Sequence, residues 1–157
     1  MPNEPTEARV DQRTFVDTNV LVYAHDGTDP AKQVRARTAL ERLWASGTGM
    51  LSTQVLQEFH VVATRRLRPP MPSASAREII GLYSTWDVVL IEPAIILGAS
   101  HLSERHQLSF WDALMVEAAR VGGAERILSE DLQDGQVIEG VTIEDPFRVH
   151  GPGARGQ

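Results

Sequence analysis

A chain of 157 residues with 42% hydrophobic and 23% charged side chains is long enough for one domain with a real core, and its lack of cysteine excludes disulfide scaffolds, thiolate-held iron–sulfur clusters and a cysteine nucleophile. The formal net charge of −6 argues against a broad electrostatic nucleic-acid surface, so any activity on nucleic acid must rest on a local patch, a metal or a partner. No apolar run approaches the roughly 20 residues that cross a bilayer, and the polar start has no signal-peptide core; the expected location is the cytosol, away from membranes.

Residues 1–13 are polar and aperiodic and read as a flexible arm, 14–148 as the folded domain, and the Gly-rich 149–157 as a disordered tail. Thr14 to Val16 is the first expected strand, stopping at Asp17, with Thr18 or Asn19 available to cap a short helix from Val20 to Ala24. Turn chemistry at 25–30 precedes an amphipathic helix from Ala31 to Ala45 that offers Val34, Leu40, Leu43 and Trp44 to the core. Met50-Leu51 is a short strand, and Ser52 or Thr53 begins a helix to about Leu67. On that helix Val55, Phe59, Arg66, Val62, Leu56 and Ala63 fall within an arc of about 120°, with Glu58 at its rim.

Pro69 to Pro72 is a loop or hairpin corner, and Ser75 to Glu78 matches a capping box before a helix to Trp86. Val88 to Ile91 is continuously apolar, as in a strand buried on both faces of a parallel sheet. Pro93 opens a helix to about His106, and Ser109 opens another that Gly122-Gly123 closes. On the latter, Phe110, Trp111, Leu114, Met115, Ala118 and Ala119 form the apolar arc, with Asp112 at its border. Arg126 to Leu128 and Val141 to Ile143 are the remaining strands. Strand and helix alternate, which predicts a three-layer α/β domain with a central, mostly parallel sheet.

Asp17, Glu58, Asp112 and Asp131 all occupy seams between elements or rims of buried faces. In an open α/β sheet, ligands collect beyond the carboxyl ends of the strands, so acids there can serve chemistry. Four carboxylates at one crevice repel one another unless a cation compensates, and a hard ion such as Mg²⁺ prefers oxygen ligands; the set reads as a metal site. Each acid also has a structural explanation: Asp17 as a helix cap, Glu58 as a solvated helix residue, Asp112 as a first-turn charge favoured by the helix dipole, Asp131 as a turn residue. The joint pattern outweighs these. The histidines are not expected to be ligands, since His101 and His106 miss the i, i+4 spacing of a zinc helix and His25, His60 and His150 have no companions. Arg65, Arg66 and Arg68 fit either contacts to phosphates or a solvated charge cluster.

The motifs Asp17-Thr18-Asn19, Glu58 within Ser52 to Phe59, Trp111-Asp112-Ala113 and Ser129-Glu130-Asp131, at acid separations of 41, 54 and 19 residues, resemble the PIN-domain family, and the span from Phe15 to Phe147 is similar to its VapC-type toxins. The resemblance implies a PIN-like sheet of about five strands flanked by helices, and a Mg²⁺- or Mn²⁺-dependent endoribonuclease acting by two-metal-type hydrolysis. It implies Asp17, Glu58 and Asp112 as the main ligands, Asp131 as the fourth acid, and Asn19 and Ser129 as their support. Asp134 is the alternative to Asp131. It further implies an RNA substrate, a cognate VapB-type antitoxin that holds the enzyme inactive, and a homodimer.

Competing readings make different demands. A phosphoacceptor receiver-like signalling domain wants a lysine late in the sheet, and the single Lys32 comes too early. A haloacid-dehalogenase-like phosphatase wants an acid two residues after the first, where Asn19 stands. A catalytically silent PIN-like binding module needs none of the acids.

Overall fold

The computed structural model describes residues 12–149, so the expected arm and tail fall outside the described residues except for Gln12, Arg13 and Val149. Six strands and six helices follow in the order β1 (Thr14–Val16), α1 (Thr18–Ala24), α2 (Pro30–Ser46), β2 (Gly49–Ser52), α3 (Thr53–Arg65), α4 (Ser73–Tyr83), β3 (Asp87–Val89), α5 (Pro93–His106), α6 (Phe110–Val121), β4 (Arg126–Leu128), β5 (Val137–Ile138) and β6 (Val141–Glu144). The strands form one sheet in the order β3-β2-β1-β4-β6-β5, parallel throughout except where β5 pairs antiparallel with β6.

The order of the strands fixes the layers. From β1 the chain steps outward to β2 and β3, then crosses back to β4 on the other side of β1. Right-handed crossovers therefore place α1 to α4 on one face and α5 and α6 on the other. β1 and β4 are neighbours whose connections leave in opposite directions, which opens a crevice beyond their carboxyl ends.

Burial follows the pattern of apolar residues. Phe15, Val16, Leu51, Ile127 and Ile143 fill the sheet, and Leu21, Leu43, Val55 and Phe59 pack onto it from the first helical layer. On the other face α6 is buried from Ala113 to Ala119, because it lies between the sheet and α5. A carboxylate survives in that stretch: Glu117 pairs with Arg120 at 2.6 Å and occupies the space that a side chain at Gly98 of α5 would take. Arg13, at the edge of the expected arm, donates to the carbonyl of Gly122 at 2.9 Å and pairs with Asp87, tying β1, β3 and the end of α6 together.

Several local expectations shift. β5 adds a two-residue edge strand that has no periodicity to announce it; Glu139 and Gly140, both at positive φ, turn it into β6. α4 begins at Ser73 behind Pro72, so Ser75 sits inside the first turn and caps nothing. β3 runs from Asp87 to Val89 and is an edge strand, so it is only half-buried instead of covered on both faces. Val34 and Trp44, expected in the core, are exposed on α2; Arg66 falls beyond the end of α3 and is exposed. Phe110 and Trp111 begin α6 ahead of its buried stretch and remain exposed.

One close approach gives a test of this packing. A Cβ on Gly49 would lie 2.6 Å from the six-membered ring of Trp86, a rigid group held in an aromatic cluster by a tilted contact with Trp44 and an edge contact with Tyr83. Gly49→Ala is expected to destabilise the protein by about 1–3 kcal/mol through overpacking, read as a lower denaturation midpoint with altered tryptophan fluorescence.

Candidate active site

Asp17 follows β1 directly and caps α1, its Oδ1 accepting the Thr18 N–H at 2.6 Å. Its Oδ2 accepts the Ser129 hydroxyl at 2.7 Å and the Asn19 amide at 3.2 Å. Ser129 follows β4, so the β1–β4 pairing itself brings these two residues together. The same Asn19 nitrogen donates to Asp131 Oδ2 at 3.2 Å, so one amide bridges two carboxylates. Asp131 is also positioned by its own N–H, which donates to Ser129 Oγ at 3.1 Å.

Glu58 reaches the crevice from α3. Its Oε2 accepts from Thr18 Oγ1 at 2.8 Å and its Oε1 from Gln54 Nε2 at 3.0 Å, one helical turn away. Asp112 arrives from the opposite helical layer, in the first turn of α6; its N–H donates to Ser109 Oγ at 3.1 Å. Among the described residues, no hydrogen bond or ion pair engages the Asp112 carboxylate.

These acids line two adjoining cavities of about 390 and 260 Å³ that share Asp17, Glu58 and Asp131. The first continues past Tyr23, Asp26, Arg66 and Glu130; the second is walled by Gln54, Trp111 and Asp112. The expected set of four acids, with Asn19 and Ser129, thus meets at one crevice. Asp134 does not: it accepts the Asp145 N–H at 2.9 Å and faces Arg148, in a separate cavity beside β6.

The electrostatics follow from burial without a counter-charge. Asp17 is pushed up to about 7 by burial, with the charges of Asp131 and Glu58 adding to the rise and its bonds to Ser129 and Thr18 opposing it. Burial likewise raises Asp131, helped by Asp112, Glu130 and Asp145 and opposed by Asn19. Among the described residues, no Lys or Arg forms an ion pair with Asp17, Glu58, Asp112 or Asp131.

Whether a divalent cation fits can be judged from the donors. Among the described residues no three acidic or imidazole groups are already gathered around one point; the carboxylates turn instead onto Thr18, Asn19, Gln54 and Ser129. Two buried oxygens beside them, Asn19 Oδ1 and Gln54 Oε1, have no hydrogen-bond partner. Unpaired buried acceptors among uncompensated carboxylates form an oxygen-only donor set of the kind a hard cation takes after small side-chain rotations. The set fits.

Sequence reasoning missed several lining residues. Gln54 lies one turn before Glu58, and helical spacing alone could have drawn attention to it. Glu130 and Tyr23 had no such signal: Glu130 accepts from Tyr23 Oη and from Lys32 Nζ, each at 2.8 Å, and only the tertiary fold joins them. His106 bonds Glu139 and His25 packs on Phe59, so neither serves the crevice.

A model of the PIN domain matches residues 14–133. No sequence-level match to a functionally curated protein was found. Among solved structures, a toxin–antitoxin complex from Klebsiella pneumoniae is similar at 20% identity with a TM-score of 0.65, covering 87% of this chain and 99% of that one. VapC20 of Mycobacterium tuberculosis, a toxin that cleaves the sarcin–ricin loop, is 27% identical with a TM-score of 0.59 over 75% of this chain and 91% of its own. VapBC2 of Rickettsia felis, bound to promoter DNA, is 18% identical with a TM-score of 0.58 over 83% and 96%. With the acid crevice at the β1–β4 switch point and a family model spanning most of the sheet, the chain belongs to the PIN-domain family.

Proposed function

We propose that this protein is a divalent-metal-dependent endoribonuclease, the toxin of a toxin–antitoxin pair, and that it hydrolyses RNA phosphodiester bonds in the crevice between β1 and β4. The observation that carries the reading is geometric: four carboxylates from separate parts of the chain share one crevice, and among the described residues none of them is ion-paired with a Lys or Arg.

Asp17, Glu58 and Asp112 are the residues that would hold the metal, with Asp131 as the fourth acid. Mg²⁺ or Mn²⁺ bound there supplies Lewis acidity towards a phosphoryl oxygen and acidifies a water. The chain's own donors do the positioning. Thr18 and Gln54 fix the two oxygens of Glu58, Ser129 and Asn19 fix Asp17, and Asn19 sets the distance between Asp17 and Asp131. No side-chain nucleophile is required, which suits a chain without cysteine and with one lysine. The toxin assignment is supported by the likeness to VapC20, described as a toxin, and to a structure described as a toxin–antitoxin complex, and with it come a VapB-type antitoxin that covers the crevice, a homodimer and action in the cytosol. Among the described residues no helix is long and apolar enough to cross a membrane.

The test is RNA cleavage by the purified chain in Mg²⁺, in Mn²⁺ and in EDTA. Cleavage with either metal that stops in EDTA is expected; RNA left intact under all three conditions would leave a binding module and overturn the enzyme.

A further inference from the structure

A second concave site lies on the first helical face, where α2 stands clear of β4 and β6. It is a cavity of about 290 Å³ lined by Arg35, Thr38, Arg42, Arg126, Leu128 and Glu144. Three guanidinium groups face one carboxylate in a chain whose net charge is −6. Arg126 forms the inner wall: its side chain is 15% exposed, and it donates to Thr14 Oγ1 and Glu144 Oε2, each at 2.7 Å. Arg35 and Arg42 are exposed and, among the described residues, make no hydrogen bond or ion pair. Seven residues apart on one helix, they share a face and are separated by about 10.5 Å along the axis.

The position of this cavity relates it to the crevice. Leu128 ends β4 immediately before Ser129, and Glu144 ends β6 beside it, so the site opens near the carboxyl edge of the sheet where the acids meet. α2 spans the two places: Lys32 bonds Glu130 in the crevice wall, Arg35 lies one turn on, and Arg42 two turns further. Two unpaired guanidiniums set two turns apart suit a polymer that carries repeated charges better than a single small anion. Arginine also offers the planar donor fork that phosphate oxygens accept.

We infer that the Arg35–Arg42–Arg126 cavity binds backbone phosphates of the RNA beside the scissile bond. Affinity then comes from this site, while the acid crevice, which repels RNA, carries out the cutting. The inference rests on the ribonuclease reading for its substrate, but its test is binding without turnover.

Full-length wild type and the Arg35→Gln/Arg42→Gln double variant are titrated in EDTA with a short fluorescent single-stranded RNA across a salt series. In the double variant the RNA affinity is expected to fall about tenfold, and the slope of log K against log salt to shrink by about 1.4, as for two lost contacts to a single strand. The Arg35→Lys/Arg42→Lys variant should restore most of the slope. An unchanged slope overturns the inference. So does binding of inorganic phosphate at these arginines without any effect on RNA, or competition by polyglutamate as effective as by RNA, which would mark an acidic protein as the occupant. Arginine-dependent RNA binding by a chain that never cleaves sustains this inference and sinks only the ribonuclease reading.

Discussion

Replacing Asp17 by Asn is expected to reduce RNA cleavage at least a hundredfold, roughly the most that loss of an outer partner costs at a metal site, and at the same time to stabilise the metal-free protein above pH 7. Asn keeps the oxygen that caps α1 by accepting the Thr18 N–H. Its amide can donate to the Ser129 hydroxyl and, once the Asn19 amide turns over, to the Asn19 Oδ1 that now lacks a partner. What disappears is a buried negative charge. A carboxyl held at about 7 in place of 3.8 corresponds to on the order of 4 kcal/mol of unfavourable ionisation. In a protein of this size that amounts to roughly 10 °C in melting temperature at pH 8, to less than half of that at pH 5, and to almost nothing only below 3.8, where folded and unfolded carboxyls are both neutral. Full activity of purified Asp17→Asn protein would remove the residue from the chemistry.

The wild-type protein in EDTA is expected to lose stability as pH rises from 5 to 8 and to recover it when Mg²⁺ or Mn²⁺ is added. The folded Asp17 carboxyl, at about 7, lies above the 3.8 of an unfolded one, so between these values the folded state keeps a proton that the unfolded state has released. Stability is therefore full below 3.8, declines across the interval and levels off above 7. Asp131, raised by burial, acts in the same direction. His25 opposes it below about pH 6.5, because burial, and then the charge of Arg37, lowers its pKa. Subtracting the melts of Asp17→Asn from those of wild type cancels the histidine. A cation that binds only the folded, ionised crevice restores stability by mass action. A difference between wild type and variant that stays flat from pH 5 to 8 in EDTA, with no response to metal, contradicts this account.

The acids were legible because their positions depend on local order. Asp17 and Ser129 end apolar runs, Glu58 and Asp112 border amphipathic faces, and a strand end or helix rim can be read from a dozen residues. The choice between Asp131 and Asp134 turned on a loop; the tertiary contact with Asn19 brings Asp131 to the crevice, while Asp134 lies in a separate cavity beside β6. Arg66, Trp44, Val34 and Trp111 were misplaced for a common reason: periodicity says which residues share a face but not where a helix stops or how far its partner extends. β5 escaped because two residues cannot display a period. The Arg35–Arg42–Arg126 cavity was invisible, since it combines α2 with strands more than 80 residues further on.

The pairing of β1 with β4 has a consequence for biosynthesis. Residues 14–16 lie beside 126–128, so Asp17 meets Ser129 and Asp131 only after about four-fifths of the chain has been made. A nascent chain or a product truncated before Arg126 has no assembled crevice, and on the proposed ribonuclease reading is harmless to the RNA around it. Such long-range closure is also slow compared with helix formation. On the proposed toxin reading, the interval gives an antitoxin that is already folded the chance to meet its target as the crevice forms.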